Sequence, residues 1–383
     1  MPTENYIHRI INIDETLKKK SVLLLGPRRT GKSSLIKNEI QPKRVYNLLD
    51  SVTFRQLALR PSLIREQLEP GENLIVIDEI QKLPNLMDEV HLMIEDYGSK
   101  FLLTGSSARK LRRTHTSLMA GRAKRQVLHP FCARELGDRF DLQKITQFGC
   151  LPPVYLSDDP WSELESYVGD YLREEIMAEA LSRNIESFSR FLQTAAYSNG
   201  ELLNFEAIAS DAQVPARTIR EYYSVLEDTL IGSMVDPITI KKSRKSVSKS
   251  KFYFFDLGVL NSLLSRKTVS PKTPEYGNLF ETWVYLELKA YLDYRKNGEK
   301  IHFWRTHSGE EVDFIVDDDI AIEVKATSLV NERHLSGLLA LNSETRLSKK
   351  IVVSQDTNVR RISEVEILPY TFFIDRLWNG EII

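Results

Sequence analysis

Residues 26–33 read Gly-Pro-Arg-Arg-Thr-Gly-Lys-Ser, and this stretch joins the apolar run at 21–26 to a helix-like segment. The spacing is that of the phosphate-binding pattern G-x-x-x-x-G-K-S, in which glycines let backbone N–H groups wrap a phosphate chain at a helix N-terminus. Lys32 is expected to reach the β- and γ-phosphates, and the Ser33 hydroxyl to ligate Mg²⁺. The stretch therefore predicts a site for ATP with Mg²⁺. The residues expected to bind the nucleotide are Gly26, Pro27, Arg28, Arg29, Thr30, Gly31, Lys32, Ser33 and Ser34.

A second motif supports this site. Residues 74–79 read Leu-Ile-Val-Ile-Asp-Glu, so that two acids follow four apolar residues at the end of a predicted strand. Ligands of α/β sheets bind at the carboxyl ends of strands. Asp78 is expected to complete the Mg²⁺ shell, and Glu79 to orient and polarise an attacking water. An acid in this role predicts a hydrolase rather than a kinase.

Two further polar elements are candidates for the same site. The run at 100–107 ends in Thr104, Ser106 and Ser107, and either Thr104 or Ser106 is expected to face the γ-phosphate or the water. Strand-end hydroxyls also cap helices, which is the alternative reading. Arg122 is the candidate for an arginine that stabilises the transition state, supplied within the chain or by a neighbouring subunit. The alternative for Arg122 is an ordinary surface arginine.

The apolar pattern predicts the fold of this region. Five short apolar runs alternate with helical patterns, and they are continuous rather than alternating, which is typical of strands covered on both faces by helices. We therefore expect an α/β domain with a parallel sheet over residues 1–155. The five runs are 21–26, 44–49, 73–78, 100–105 and 125–130.

The middle of the chain, residues 156–270, is predicted to be a helical connector followed by a helix-turn-helix. A short helix around Ile208 is followed by a turn at 211–215 and a second helix at 216–228, which is the spacing of that motif. The second helix would present Arg217 and Arg220 to DNA. A basic segment then follows and would form a wing against phosphates. Its cations are Lys241, Lys242, Arg244, Lys245, Lys249 and Lys251.

A different partner remains open for this middle region. Winged helices also bind proteins, and the acids Glu221, Glu227 and Asp228 on the second helix disfavour insertion into a groove. A basic loop is also commonly just a solvated loop.

The C-terminal region, residues 271–383, reads as a helix followed by a mixed sheet. Asp313 ends one predicted strand, and Glu323 and Lys325 alternate on the next, so that the three side chains converge on a hairpin. Two carboxylates can hold a divalent cation, here Asp313 and Glu323, while the lysine polarises a water against a phosphodiester. Glu281, on the preceding helix, would complete the metal shell. The alternative is an ordinary exposed hairpin.

Composition narrows the possible partners. The 383 residues carry 52 basic and 53 acidic side chains, a formal net charge of −1, which excludes a uniformly basic histone-like protein. The charge is segregated, since residues 101–150 sum to +7 and residues 151–200 to −6. DNA therefore remains a possible partner. Two cysteines without zinc spacing, and no apolar run of signal or membrane-spanning length, predict a cytoplasmic protein with no membrane contact.

These motifs together resemble a known family. The strings GPRRTGKSSL, LIVIDEIQKLP, FLLTGSSARKL, GNLFETWVYLEL, FWRTHSGEEVDF and IAIEVKA are similar to those of AAA-type ATPases of bacteria and archaea. In that family a P-loop domain of the ASCE/AAA-like class is followed by a winged helix and a restriction-endonuclease-like α/β domain. The likeness extends over nearly the whole chain. Relatives commonly carry Pro-Leu-Ser-Phe-x-Glu where residues 130–135 read Pro-Phe-Cys-Ala-Arg-Glu, and this departure involves no catalytic residue.

The resemblance also implies roles for the C-terminal acids. Asp313, Glu323 and Lys325 match the D…E-x-K pattern of the PD-(D/E)xK nuclease core, and Glu281 matches its helical acid. Such domains can bind DNA without cutting it. We therefore expect an Mg²⁺-dependent ATP hydrolase that is coupled to DNA binding and to metal-dependent DNA cleavage. The alternative is an ATP-gated regulatory or scaffold protein whose C-terminal domain binds DNA or protein without cleavage, and assembly into a homo-oligomer stays open.

Overall fold

The residues described by the computed structural model are 6–107, 121–172, 185–238, 247–295 and 298–383. The chain divides into two compact units, one formed by Met1–Phe131 with Asp228–Ile231, the other by Cys132–Glu227 with Gly232–Ile383. The division into three domains with boundaries at 155 and 270 stays a prediction. Among the residues described, no helix combines the length and the apolar character needed to cross a bilayer.

The first unit contains the predicted parallel sheet. Its strand order is β2-β3-β4-β1-β5, and all neighbours run parallel. The strand β4 therefore lies between β1 and β3, so that three carboxyl ends meet at one edge. The strands are β1 Ser21–Leu25, β2 Val45–Asn47, β3 Leu74–Asp78, β4 Lys100–Gly105 and β5 Ala123–Val127.

The two outer strands differ from the prediction of strands buried on both faces. In β2 only Tyr46 is buried, and in β5 both Lys124 and Arg125 are exposed. Both strands lie at edges of the sheet, where one side lacks a neighbouring strand. The three central strands are buried almost throughout, as the apolar runs predict.

Helices cover the faces of this sheet. The helix Leu86–Tyr97 buries Leu86, Val90 and Met93 at spacings of four and three, and it ends where Gly98 takes a positive φ of 63°. These side chains form a core with residues of β3 and β4 such as Ile77. The helices of the unit are Ile13–Lys19, Lys32–Leu35 with a π-helical turn Ile36–Ile40, Ser51–Leu59, Leu63–Glu66 and Leu86–Tyr97.

The second unit begins with helices. The two helices of the predicted helix-turn-helix are present, at Phe205–Ala212 and Ala216–Asp228, and the turn between them includes Gln213 at a positive φ of 54°. The other helices of this unit are Ala133–Leu136, Leu142–Phe148, Pro152–Tyr155, Pro160–Ser166, Ile185–Tyr197, Leu257–Leu263, Pro274–Arg295, Ser336–Glu344 and Tyr370–Trp378.

An eight-stranded mixed sheet occupies the rest of the second unit, in the order β12-β13-β11-β10-β9-β8-β6-β7. The strands β8, β9 and β10 form an antiparallel meander, and β11 runs parallel to β10. The strands are β6 Gly232–Pro237, β7 Lys251–Phe254, β8 Ile301–Arg305, β9 Glu311–Val316, β10 Ile320–Lys325, β11 Lys349–Ser354, β12 Arg360–Ile362 and β13 Val365–Pro369.

The sequence predicts a β-wing next to the helix-turn-helix, and the hairpin β6–β7 lies at that place in the chain. Its strands are antiparallel, but β6 also pairs in parallel with β8, Asp236 lying opposite His302. The hairpin therefore extends the sheet that carries Asp313 and Glu323. The segment 239–246, with four of the six cations predicted for the wing, lies outside the described residues.

Candidate functional site

The phosphate-binding loop connects β1 to the helix that begins at Lys32. Gly31 takes a positive φ of 97°, which a residue with a β-carbon rarely adopts. At Gly26 a β-carbon would lie 2.5 Å from the backbone oxygen of Leu128. Both glycines of the motif are thus required by the backbone path, and this cradle fits a phosphate chain.

The side chains of Thr30 and Lys32 fold into the loop itself. The buried ammonium of Lys32 donates to the carbonyl oxygens of Gly26 at 2.7 Å and of Pro27 at 3.0 Å, and the Thr30 hydroxyl donates to Pro27 O at 2.8 Å. These bonds keep the cation at the loop, where a phosphate would be bound.

The ends of β3 and β4 meet the helix that follows the loop at a single carboxylate, that of Asp78. The Ser33 hydroxyl donates to Asp78 Oδ2 at 3.0 Å, and the Thr104 hydroxyl donates to Asp78 Oδ1. A hydroxyl and a carboxylate side by side are hard oxygen donors of the kind that Mg²⁺ prefers. Ser33 and Asp78 therefore fit the metal that the sequence predicts. The sequence predicts that either Thr104 or Ser106 faces the γ-phosphate or the water, and Thr104 is the one that contacts Asp78.

Glu79 follows Asp78 in the chain, and hydrogen bonds fix both its backbone and its carboxylate. Its backbone is left-handed, with φ 63° and ψ 44°, and its N–H donates to the Thr104 hydroxyl at 3.2 Å. The side-chain amide of Gln81 donates to Glu79 Oε2 and also to the Ser106 hydroxyl at 3.1 Å. Glu79, Gln81 and Ser106 are all buried. We refer to these three residues as the Glu79 clamp.

Gln81 is a site residue that sequence reasoning missed. Its position, two residues after the acid pair, was the available signal, but an amide within a short helical turn has many structural uses. A β-carbon at Gly105 would lie 2.6 Å from Gln81 Oε1, so that the glycine makes room for the amide. Gln81 Oε1 itself is buried and has no hydrogen-bond partner among the described residues.

Arg122 is not brought to this edge. It precedes β5, whose residue Ala123 lies opposite Ser21, whereas the phosphate-binding loop follows Leu25 at the other end of β1. At about 3.3 Å per residue the two ends of the strand, Ser21 and Leu25, are roughly 13 Å apart. The Arg122 guanidinium pairs instead with Glu95. Within its own chain Arg122 does not reach the loop, so a role towards a neighbouring subunit stays a prediction beside the alternative of an ordinary surface arginine.

The predicted C-terminal residues do converge. Val324 N donates to Asp313 Oδ2 at 2.7 Å, and the Lys325 ammonium lies 3.9 Å from the same oxygen and pairs with Glu323. Asp313 and Glu323 are buried. The oxygen Glu323 Oε2 has no hydrogen-bond partner among the described residues. A buried carboxylate oxygen in this state is suited to bind a cation as a ligand.

The electrostatics of this pair follow from burial and mutual repulsion. The pKa of the Asp313 carboxyl is raised to about 6, first by burial and then by Glu281, while Lys325 and Lys251 act in the opposite direction. Burial, and then Asp313, raise the pKa of Glu323 well above its usual range. Burial lowers the pKa of Lys325, but Asp313 and Glu323 outweigh burial and the pKa rises. Two carboxylates that resist joint ionisation gain most from a divalent cation.

Glu281 is also present, held by two residues of β7. The Tyr253 hydroxyl donates to Glu281 Oε1 at 2.6 Å, and the Lys251 ammonium lies 3.5 Å from the same oxygen and 2.6 Å from Glu311 Oε1. The prediction that Lys251 lies against DNA phosphates is therefore wrong, because this lysine is buried among acids. Lys249 is exposed, and its contact with DNA phosphates stays a prediction.

Among the described residues, no three His, Cys, Asp or Glu side chains are arranged as a ready metal site. The residues Asp313 and Glu323 fit a cation by their donor chemistry, but a third carboxylate would have to move towards them. Glu281 is the acid whose present partners, Lys251 and Tyr253, oppose such a move.

The arginines of the second helix of the helix-turn-helix differ in environment. The Arg217 side chain is 92 % exposed, and its Nε lies 3.5 Å from Glu221. Arg220 pairs with Glu206 at 3.2 Å and lies over the Phe205 ring at 5.0 Å, so that it joins the two helices. An exposed pair is worth at most about 1 kcal/mol, so Arg217 can exchange its partner for a phosphate.

Comparison with known sequence families divides the chain into three matched regions. Residues 18–137 match the AAA domain family. Residues 139–270 and 276–373 match two domains of unknown function, DUF8612 and DUF4143. No curated protein matches the sequence.

Solved structures give only distant likenesses. The Aeropyrum pernix ORC1 protein in complex with DNA is 12 % identical over 64 % of this chain and 86 % of its own, with a TM-score of 0.27. Drosophila ORC bound to AT-rich DNA and Cdc6 is 10 % identical over 66 % of this chain and 88 % of its own, with a TM-score of 0.23. Domain III of the Thermotoga maritima replication initiation protein DnaA is 14 % identical over 56 % of this chain and 88 % of its own, with a TM-score of 0.23. These TM-scores are too low to establish a shared fold or function. The AAA domain match over residues 18–137, together with the phosphate-binding loop at the sheet edge, supports an AAA-type ATPase.

Proposed function

We propose that the protein hydrolyses ATP with Mg²⁺ at the carboxyl edge of its parallel sheet. One observation carries this proposal: the phosphate-binding loop, the Ser33–Asp78–Thr104 set and the Glu79 clamp lie at the same edge of one sheet. A binding protein for nucleotides needs the loop and the metal ligands, but it does not need a buried acid held next to them. The clamp is therefore the feature that favours hydrolysis.

Each residue has a separate task in this proposal. The loop amides and Lys32 bind and orient the phosphates, while Ser33 and Asp78 would hold Mg²⁺, which neutralises phosphate charge when bound. Glu79 orients a water and accepts its proton. Gln81 and Ser106 position the Glu79 carboxylate. Arg122 is proposed to act on the site of a neighbouring subunit.

The test of hydrolysis uses two substitutions with different expected results. Lys32→Ala should abolish phosphate release and weaken ATP binding, because it removes the loop's cation. Glu79→Gln should retain binding and reduce turnover by about a hundredfold or more, as expected when a general base is lost. Binding is measured with a fluorescent ATP analogue. Turnover that survives Glu79→Gln would contradict the role assigned to Glu79.

We further propose that the protein binds DNA through its helix-turn-helix and cleaves it at the C-terminal acids with a divalent cation. The exposed Arg217 and Lys249 support binding, and the convergence of Asp313, Glu323 and Lys325 supports cleavage. Lys325 would polarise the attacking water, and Asp313 and Glu323 would hold the cation. Plasmid DNA incubated with Mg²⁺ or Mn²⁺, with and without ATP, should be nicked by the wild type and left intact by Lys325→Ala.

A specific observation favours the alternative, a regulatory or scaffold protein whose C-terminal domain does not cleave. The Lys251 ammonium already pairs with Glu281 and with Glu311, which Arg305 also contacts. Plasmid that stays equally intact with the wild type and with Lys325→Ala would support this alternative. ATP hydrolysis and DNA binding would be retained in that case.

A further inference from the structure

A buried lysine of the hairpin lies among the acids of the C-terminal site. Lys251 is the first residue of β7 and is 3 % exposed. Its ammonium is within 2.6 Å of Glu311 and 3.5 Å of Glu281. A buried ammonium is tolerated only where carboxylates compensate for its lost hydration. The position of Lys251 is thus set by these acids and not by solvent.

The strand β7 presents two donors to the same helical acid. Side chains two residues apart on a strand share a face, and Lys251 and Tyr253 both contact Glu281 Oε1. Tyr253 is held in turn by stacking on Tyr285, with ring centroids 4.4 Å apart, and by a tilted contact with Phe314 at 5.9 Å. The orientation of Glu281 therefore depends on the hairpin.

The acids of this site divide between two lysines. Asp313 and Glu323 share Lys325, whereas Glu281 and Glu311 share Lys251. One carboxylate oxygen, Glu323 Oε2, is buried without a hydrogen-bond partner among the residues described. A divalent cation at that oxygen would need further carboxylate ligands. Glu281 is the acid on the preceding helix, and its carboxylate is already engaged by an ammonium.

We infer that Lys251 is a built-in counter-ion of this site, and that its ammonium competes with a divalent cation for the Glu281 carboxylate. The inference rests on the proposed function insofar as Asp313 and Glu323 bind such a cation. Lys251 belongs to the hairpin β6–β7, which follows the helix-turn-helix in the chain. A shift of the hairpin releases Glu281 to the cation, so the hairpin restrains the C-terminal site.

The test is the affinity of the full-length chain for Mn²⁺, measured by isothermal titration calorimetry without DNA or nucleotide. Lys251→Met should tighten binding by about tenfold or more, because it removes a positive charge next to the cation and frees Glu281. Lys300→Met removes the same charge at an exposed position just before β8 and should leave the affinity unchanged. Equal affinity of Lys251→Met and wild type would overturn the inference, as would an equal gain from Lys300→Met.

A second background separates competition for Glu281 from a general effect of charge. Glu281→Gln removes the carboxylate for which Lys251 and the cation compete. In that background, adding Lys251→Met should improve Mn²⁺ binding by less than about threefold. A gain as large as in the wild-type background would show that Lys251 does not act through Glu281. If Lys251→Met fails to fold, the wild type still provides a test. Mn²⁺ should accelerate hydrogen exchange of the β7 amides, and unchanged or slower exchange overturns the inference.

One further variant distinguishes failure of this inference from failure of the proposed cleavage site. Asp313→Asn removes a ligand that the proposed function requires. If Asp313→Asn abolishes Mn²⁺ binding while Lys251→Met behaves like the wild type, only the role of Lys251 is wrong. If the wild type and Lys251→Met bind no Mn²⁺, or bind it equally with Asp313→Asn, the cation site itself is absent and both proposals fail.

Discussion

Glu79 adopts a left-handed backbone, φ 63° and ψ 44°, although its side chain carries a β-carbon. This conformation costs on the order of 1–2 kcal/mol for such a residue. It persists where the surroundings fix the residue from several sides, and here Thr104 contacts the backbone N–H while Gln81 contacts the carboxylate. The orientation of Glu79 is thus a property of its neighbours.

Gln81→Leu should reduce the turnover number of ATP hydrolysis by about tenfold to a hundredfold, because Glu79 loses the donor that positions it. The KM for ATP should change little, since the Gln81 amide donates to Glu79 and Ser106, which lie outside the phosphate-binding loop. Phosphate release measured at saturating ATP gives the turnover number.

The matched control for Gln81→Leu is Gln56→Leu, at an exposed position of the helix Ser51–Leu59. It should leave the turnover number within about twofold of the wild type. A rise in KM with an unchanged turnover number in Gln81→Leu would contradict a role in positioning the base.

Glu287 gives a prediction on pH. Its buried carboxylate accepts from Ala133 N at 2.7 Å and from Trp378 Nε1 at 3.0 Å, and burial raises its pKa from 4.5 to about 7. Between these pH values the folded chain keeps a proton that the unfolded chain has released. The free energy of unfolding therefore falls as pH rises through this window, by about 3 kcal/mol at most.

Urea unfolding at pH 5 and pH 8 tests this effect. Glu287→Gln imitates the protonated acid and should remove that part of the pH dependence. Glu201→Gln, at an exposed position, should keep the wild-type dependence. Equal pH dependence in the wild type and Glu287→Gln would show that Glu287 is ionised in the folded chain at both pH values.

Among the elements, β4 has the largest share in the geometry of the nucleotide site. It separates β1 from β3 and brings Thr104 to Asp78. Leu103 of this strand is fully buried, in register with Leu23 on one side and Ile77 on the other. The strand's position is therefore fixed by apolar packing just before its polar end.

Leu103→Ala should lower the free energy of unfolding by about 2–5 kcal/mol, because it leaves a cavity between the central strands. Leu59→Ala makes the same change at a position that is 87 % exposed and should have an effect within about 0.5 kcal/mol. Chemical denaturation monitored by circular dichroism measures both. A loss for Leu103→Ala as small as for Leu59→Ala would mean that the strand repacks.

The elements also show what the sequence could predict and what it could not. The loop, Asp78 and Glu79 were found because each follows a strand directly, and Asp313, Glu323 and Lys325 because one hairpin joins them. Gln81 is not predictable although Glu79 lies only two residues away, because an amide in a short turn has many structural uses and its second partner, Ser106, follows another strand. The burial of Lys251 is not predictable because its acids lie far along the chain. Lys251 contacts Glu281, thirty residues away on the helix Pro274–Arg295, and Glu311 on β9, and no local pattern encodes these contacts.

At the scale of the whole molecule, the net charge of −1 hides the features that bear on DNA. We expect the affinity for duplex DNA to fall steeply as salt rises, because phosphate contacts release counter-ions. Arg217→Gln should weaken binding and reduce the slope of log affinity against log salt by about one. Fluorescence anisotropy with a labelled duplex measures this slope.

The control for Arg217→Gln is Arg55→Gln, at an exposed position of the first unit, which should leave the slope unchanged. Affinity that does not respond to salt would remove phosphate contacts from the description of this protein. An equal loss in both variants would place the DNA elsewhere than the helix-turn-helix.

The parallel pairing of β6 with β8 has a practical consequence for dissecting the molecule. A fragment that stops at residue 270 would keep the hairpin but lose β8, the strand beside β6. The edge of β6 would then be exposed and could pair with another chain, which favours aggregation. The same truncation would remove Glu281 and Glu311, so that the Lys251 ammonium would lose both of its carboxylate partners. The middle and C-terminal regions, although they match separate families, are thus expected to be stable only when they are expressed and purified together.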